Sequence, residues 1–576
     1  LGDRAVAKAK KAKKAKKLSA AEKAAKKLKS DHSAMVRAVF RRSGFKRIPS
    51  LCDKEFTYVG QKTDFDEVFV YENVLVCIET TTTSASNISG HLKPKKIVYD
   101  KIESDEEAFV DFYCGISDEL VEALSGYAAS DVVVRIVYAS RNNIEQTHKE
   151  NVPNPIYLDY PILRYLRSTA ETIRLSARHE VLEFLRVSDT ALGEHGAVGI
   201  GVGSDTYIGS LLPESSSNFA PGYKVVSFYV DPQSLLQKAY VLRRDGWRQT
   251  YSLYQRLLSK EKIDSIRKYL RNEHRVFVNN VIATLSPDTK VLNKSNDTVD
   301  LLKINKTTQV KIQLPRIHNS IGIVDGQHRT YAYYESADDD THIATLRKRQ
   351  NLLLTGVIYP SGTTALEREK FEARLFLEIN ANQTTAKSNL KQAIGLILEP
   401  FSPESIAARV LDYLDKGTGP LGNQVERYFF DKDKLKTTSI ISYGLRPLVK
   451  LSGNDSLFYS WSHSNKKDLS KGNDLALLDD YVAYCAAEIS ALLVGFRRGI
   501  GPERWTTDKS VEGRALTTTF INAVLIVLRI LIEQNKMGTQ ASYTSSLSSI
   551  GTFNTKIYHS SQYRSMAEAI VMKYFK

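Results

Sequence analysis

From residue 31 onward the apolar positions change period several times. Met35, Val36, Val39 and Phe40 share one face of a 3.6-residue repeat, which predicts a helix stopped by Gly44. In KTDFDEVFVYENVLVCIETTTT, Phe69, Tyr71, Val74 and Val76 flank Glu72-Asn73 and predict two strands joined by a tight turn. FVDFYCGISDELVEALSGYAASDVVVRIVYAS adds a helix and a strand from Val132 to Tyr138. TAETIRLSARHEVLEFLRV then reads as a helical connector, and the glycines of GAVGIGVGSD as a loop.

The pattern sharpens after residue 219. Residues 225 to 230 read as a strand, Asp231-Pro232 as a helix start, and Leu257, Ile263, Ile266 and Leu270 as one face of a second helix. FVNNVIATL predicts a strand, IGIVDGQHRTYAYYE a buried strand passing into a helix, and LFLEIN a strand ending in amides. Beyond Leu390 the apolar stripes of QAIGLILEPFSPESIAARVLDYLDK, DLALLDDYVAYCAAEISALLVGFRRG and TTTFINAVLIVLRILIEQNK predict helices. The expected organisation is an α/β multidomain chain. It comprises a basic Lys/Ala-rich tail over 1–30, an α/β core over 31–150, a helical connector over 151–218, an α+β domain over 219–395 and a helical region over 396–576.

Composition changes this picture little, and charge changes it in one place. The chain has 576 residues and a net charge of +15. Residues 1–30 hold twelve Lys or Arg against Asp3 and Glu22, a net of +10, which leaves +5 for the remaining 546. The tail thus reads either as a solubilising arm or as one that touches phosphate backbones. It lacks the apolar core of a secretory signal, and its leading Leu does not read as a native start. Cys52, Cys77, Cys114 and Cys485 form no CxxC pair, so the expected setting is a reducing cytoplasm. The longest apolar run, from Phe520, is interrupted by Arg529 and reads as a buried helix, so no membrane partner is expected.

The first candidate chemistry is acidic. Asp66 begins one predicted strand and Glu79 closes the next, so a hairpin places two carboxylates at one edge as ligands for Mg²⁺. This order resembles the PD-(D/E)xK nuclease core, which implies that residues 31–150 form a nuclease-like α/β domain. The motif lysine is replaced by Thr81, and Lys93, Lys95 and Lys96 are candidates to reach back in its place. The alternative is that Asp66 and Glu79 only end strands while the lysines form a solvated or DNA-contacting face.

The second candidate lies in VDGQHRTYA, where Gly326, Arg329 and Ala332 make a G-x-x-R-x-x-A spacing. Gly326 lets backbone approach a ligand, the new helix offers its N-terminus, and Arg329 is suited to two phosphate oxygens. Asp325 reads as a helix cap or a ligand to phosphate-bound Mg²⁺. Gln327 and His328 read as groups positioning water or a sugar, with a structural histidine bonded to a backbone carbonyl equally open. The five-residue signature resembles the DGQHR-domain proteins, which include the DndB regulators of DNA phosphorothioation and the DpdB components of deazaguanine DNA-modification islands. Its spacing is similar to that of the ParB and sulfiredoxin superfamily.

That resemblance implies a ParB-like α+β domain over 219–395. It further implies a pocket for ATP or another NTP with Mg²⁺, made by Asp325, Gly326, Gln327, His328 and Arg329. Tyr254, Gln255, Arg256, Asn380, Asn382 and Gln383 are its second-rank contributors, although INANQ reads equally as an Asn-rich turn. The expected function is a nucleotide-binding, nucleotide-hydrolysing protein associated with DNA in a bacterial DNA-modification or phage-defence system. DNA, other proteins of such a system and a second copy of the chain are its expected partners. A restriction-type effector nuclease and a non-enzymatic DNA-binding repressor or scaffold remain alternatives.

Overall fold

A computed structural model describes residues 19–84, 87–193, 203–217, 219, 221–241, 258–300, 304–338, 340–381, 395–426, 431, 433–559 and 562–575. Tyr254, Gln255, Arg256, Asn382, Gln383 and most of the GAVGIGVGSD run fall outside these residues. The fold is mixed α/β, with two large sheets followed by a helical C-terminal part.

The first sheet has five strands in sequential order: β1 (Lys46–Arg47), β2 (Glu67–Tyr71), β3 (Val74–Thr81), β4 (Val133–Ser140) and β5 (Ile156–Asp159). The first two pairings are antiparallel, while β3, β4 and β5 run parallel. All eight β3 residues are buried, as expected of a strand covered on both faces. Val74, Val76 and Ile78 pack with Val36, Val39 and Phe40 of α1 (Ala20–Arg42) and Leu163 and Leu166 of α3 (Tyr160–Ile173). Leu75 and Cys77 pack on the opposite face with Leu92, Val98 and Ile102 of α2 (Ile88–Ser104). Glu79 and Thr81 continue the second series, so the period of two points both toward α2.

Two expected boundaries move. Helix α1 begins at Ala20, capped by Ser19, inside the segment read as tail. The connector is not a separate unit. Its residues 156–159 close the first sheet as β5, and β6 (Ser204–Leu212) belongs to the second. Between them lie α3 and α4 (Arg178–Phe184), and Ala170, Ile173 and Ala177 pack into the core of the second sheet.

The second sheet has eight strands. After β6 come β7 (Lys224–Val230), α5 (Pro232–Lys238), β8 (Ala239–Tyr240) and α6 (Lys260–Glu273). Strands β9 (Val281–Leu285), β10 (Lys290–Leu292), β11 (Thr308–Pro315) and β12 (Ile321–Asp325) follow, then α7 (Gln327–Tyr331), α8 (Thr341–Arg349) and β13 (Leu352–Ile358). The spatial order is β8-β12-β9-β13-β7-β6-β11-β10. Strand β12 lies between β8, parallel to it, and β9, antiparallel to it.

LFLEIN is not a strand but part of the helix α9 (Ala365–Ala381), which carries Asn380. Short apolar runs fit strand and helix alike, and the charged EREKFEAR before this one extends the helix. Behind β12, the buried Glu372 of α9 accepts hydrogen bonds from the hydroxyls of Tyr240, Thr284 and Tyr359 at 2.6–2.7 Å. Gly322 makes room for this network, because a Cβ there would lie 2.5 Å from Thr284 Oγ1 and 2.7 Å from the Tyr240 hydroxyl.

The C-terminal helices include α10 (Pro403–Lys416), α11 (Leu475–Ile500), α12 (Thr518–Glu533) and α13 (Tyr563–Tyr574), packed around one apolar core. The run from Phe520 lies in α12 and is almost wholly buried. Among the described residues no helix is long and apolar enough to cross a membrane.

Candidate functional site

The two predicted sites take different forms. At the end of the first sheet, helix α2 crosses the face carrying Glu79. His91 and Lys95, one helical turn apart, both point onto it. Lys95 Nζ forms an ion pair with Glu79 and, at 3.0 Å, with Asp64 Oδ1, and it donates to the Asp64 carbonyl at 3.0 Å. His91 Nδ1 lies 2.9 Å from the hydroxyl of Tyr138, the residue registered beside Glu79 on β4. Lysine thus arrives from the helix at the face where Thr81 stands on the strand. The Thr81 hydroxyl instead donates to Thr83 Oγ1 at 2.9 Å.

Lys96 does not take part. It pairs with Asp100 one turn along the outer side of α2, and Lys93 is exposed. Asp66 sits one residue before β2, where its Oδ2 accepts from the Thr80 amide at 2.6 Å and the Thr80 hydroxyl at 3.1 Å. Asp53 lies close by in a left-handed conformation at φ 55°. Burial and then the charges of Asp66 and Glu67 raise the pKa of Asp53.

Burial dominates the electrostatics here. It pushes the Glu79 carboxyl up to about 8, with Lys95 opposing the rise and Asp66 and Asp64 adding to it. The His91 pKa is lowered, first by burial and then by Lys95, which keeps the imidazole neutral. Lys29, exposed on α1, pulls down the pKa values of both Asp53 and His91, so the basic end of that helix flanks the site. On the other face, His32 Nε2 donates to the Ala139 carbonyl at 3.1 Å, and burial lowers its pKa as well.

Asp66 and Glu79 are hard oxygen donors of the type that Mg²⁺ takes. Among the described residues, however, no three His, Cys, Asp or Glu side chains are grouped to hold a metal ion. Glu79 is turned to Lys95 and Asp66 to Thr80, so a divalent ion would have to draw Glu79 from its ammonium.

At the second site, β12 ends at Asp325 beside an irregularity in its pairing with β9, between Ile282 and Ala283. Gly326 turns the chain at φ 101°, and a Cβ there would lie 3.1 Å from Arg329 Nη2 and 3.2 Å from Val281 Cγ2. Asp325 Oδ2 accepts a hydrogen bond from Arg329 Nη2 at 2.9 Å. His328 Nε2 accepts the Ser259 amide proton at 3.1 Å, which fixes the start of α6. The acceptor role excludes a proton on that nitrogen, so Nε2 takes its bond from an amide.

One expectation about this turn changes. Helix α7 is only five residues long, so the dipole at its start is that of little more than one turn. Ala332 is fully buried in the core, and its carbonyl accepts from Arg267 Nη1 at 2.9 Å. Gln327 is half-buried at the turn. The residues that sequence reasoning missed, His91, Asp64 and Tyr138, had one available signal. His91 and Lys95 stand four apart on a helix that follows the acidic strand, while Tyr138 alternates with apolar residues facing that helix.

No family model, curated protein or solved structure matches the chain.

Proposed function

We propose that the chain is a DNA-processing protein whose first sheet carries a phosphodiester-hydrolysing centre. The observation that supports this most is the delivery of Lys95 from α2 to Glu79 and Asp64, on the face where Thr81 leaves a nuclease-like strand without its lysine. The order α1, β2, β3, α2, β4, with β2 and β3 antiparallel and β4 parallel to β3, supports the reading, since it carries the helix, acidic strand and following strand that the nuclease resemblance implies. Asp66 and Glu79 would hold Mg²⁺, which when bound supplies a Lewis acid for the phosphate and a more acidic water. Lys95 then stabilises charge on phosphate oxygens and orients the nucleophile. Neutral His91 accepts a proton, and the lysines exposed at the start of α1 hold the DNA backbone.

Incubation with modified and unmodified duplex DNA in Mg²⁺ or Mn²⁺ tests this reading. Cleavage is expected, with a loss of about 100-fold in Lys95→Ala. Recovery is expected in Thr81→Lys/Lys95→Ala, which returns the ammonium to the same face from the strand. Cleavage unchanged in Lys95→Ala, or absent from every combination of substrate and metal, overturns it.

A second reading concerns DGQHR, and the ion pair across Gly326 supports it. Arg329 is held by one carboxylate at the mouth of a turn, and a nucleotide phosphate would compete for the same guanidinium. In this reading the ParB-like middle domain binds a nucleoside triphosphate and regulates the DNA-binding parts. Protection of residues 325–329 from hydrogen exchange by ATP or GTP, abolished in Arg329→Ala, is the expected result. Protection that persists in the variant sinks the assignment.

A further inference from the structure

We infer that the C-terminal helical part holds a binding site for a mononucleotide, separate from both sites described above. Between the end of α11 and the start of α12 lies a cavity of about 460 Å³, within the range of small-molecule sites. Its polar lining is strongly cationic, with Arg504, Lys509, Arg514 and Lys556 against one carboxylate, Glu512.

These four cations differ in what already occupies them. Arg504 donates to the carbonyls of Gly513 and Gly551, each at 2.9 Å, and so ties two walls of the cavity together. Lys509 pairs with Asp433 and Lys556 with Glu512, both in exposed contacts that water and salt weaken. Arg514, half-buried in the lining, makes no side-chain hydrogen bond among the described residues, although its charge acts on the nearby Asp508. A half-buried guanidinium facing a cavity is suited to a bidentate anion.

The opposite character comes from aromatic and aliphatic groups. Phe553 and Tyr558 line the cavity with ring planes only 9° apart and centroids 5.9 Å apart, and Phe520, Ile550 and Met566 complete an apolar floor. Flat aromatic surface beside a guanidinium with no side-chain hydrogen bond of its own matches a ligand that joins a planar ring to a phosphate. A base lies against the rings, and its phosphate takes Arg514 with Lys509 or Lys556 at the rim.

Calorimetric titration of the full chain with AMP, GMP, CMP and UMP, with adenosine and with inorganic phosphate separates the two halves of the recognition. At least one monophosphate is expected to bind, with the nucleoside and phosphate each weaker by about ten-fold or more. Arg514→Ala, checked for folding by circular dichroism, loses about ten-fold in affinity, and Arg514→Lys recovers part of it. Failure of all four monophosphates to bind overturns the site. So does binding that survives Arg514→Ala but is lost in Arg329→Ala, which assigns the nucleotide to the DGQHR turn.

Discussion

Glu79 is the residue at which folding and chemistry pull apart. A carboxylate buried on both sheet neighbours costs free energy, and the chain offsets that cost with one ammonium from another element. Its carboxyl titrates near 4.5 when unperturbed and is pushed up to about 8 in the fold. Between those values the folded chain holds a proton that the unfolded chain lacks, so stability from this group falls as pH rises through the window. Glu79→Gln removes that dependence. Denaturation midpoints of the wild type relative to the variant are expected to decline from pH 5 to pH 8.5. A constant difference would mean that Glu79 is already ionised at pH 5. The residue itself was legible in sequence because it closes a β-forming run, and so was the absence of a lysine two residues later. That Lys95, and not Lys93 or Lys96, fills the gap was not legible. The choice depends on the rotation of α2 about its axis, which the packing of Leu92, Val98 and Ile102 decides.

Among the elements, the long periodic ones were read well and the short ones poorly, for one physical reason. The hairpin of β2 and β3, strand β12 and helices α11 and α12 carry enough repeats for a period to be distinctive. LFLEIN has six residues, and its apolar character says only that it is buried. The helix emerges from its neighbours, since Ala373 and Phe376 stand three apart and both pack in one small cluster beneath Val324. The DGQHR turn errs in the opposite sense. Its strand and its glycine are as the pattern suggests, yet α7 stops after five residues, and Ala332 and Tyr333 beyond it are buried in the core. What the sequence could not convey is that Asp325 and Arg329, four apart, satisfy each other. The same spacing serves an ion pair within the turn or an arginine offered to a phosphate.

In the whole molecule the two candidate sites are joined by one segment. Residues 174–189 leave the first sheet after α3 and grip the DGQHR unit on both sides. Ahead of β12, the His318 amide donates to Asp189 Oδ1 at 3.0 Å, with the imidazole Nδ1 2.7 Å from the same oxygen, and Asn319 donates to Glu183 at 2.7 Å. After α7, Leu175 donates to the Glu335 carbonyl and Glu335 to the Ser176 hydroxyl, each at 3.0 Å. His179, held neutral by burial and by His318, packs against the His318 ring with centroids 3.8 Å apart and planes tilted by 38°. Asp189 therefore carries two contacts of one residue that leads directly into β12, and removing it leaves the His318 amide without its acceptor. Loss of a charge-assisted hydrogen bond weakens local protection by about ten-fold or more. In Asp189→Ala, amide exchange is expected to accelerate by that factor at 316–320 and, to a smaller extent, through 326–335, while β3 and α2 keep their wild-type protection. Acceleration confined to 316–320 would show that β12 transmits nothing to the turn. Acceleration extending to Arg329 makes residues 174–189 the mechanical link between the DGQHR turn and the first sheet.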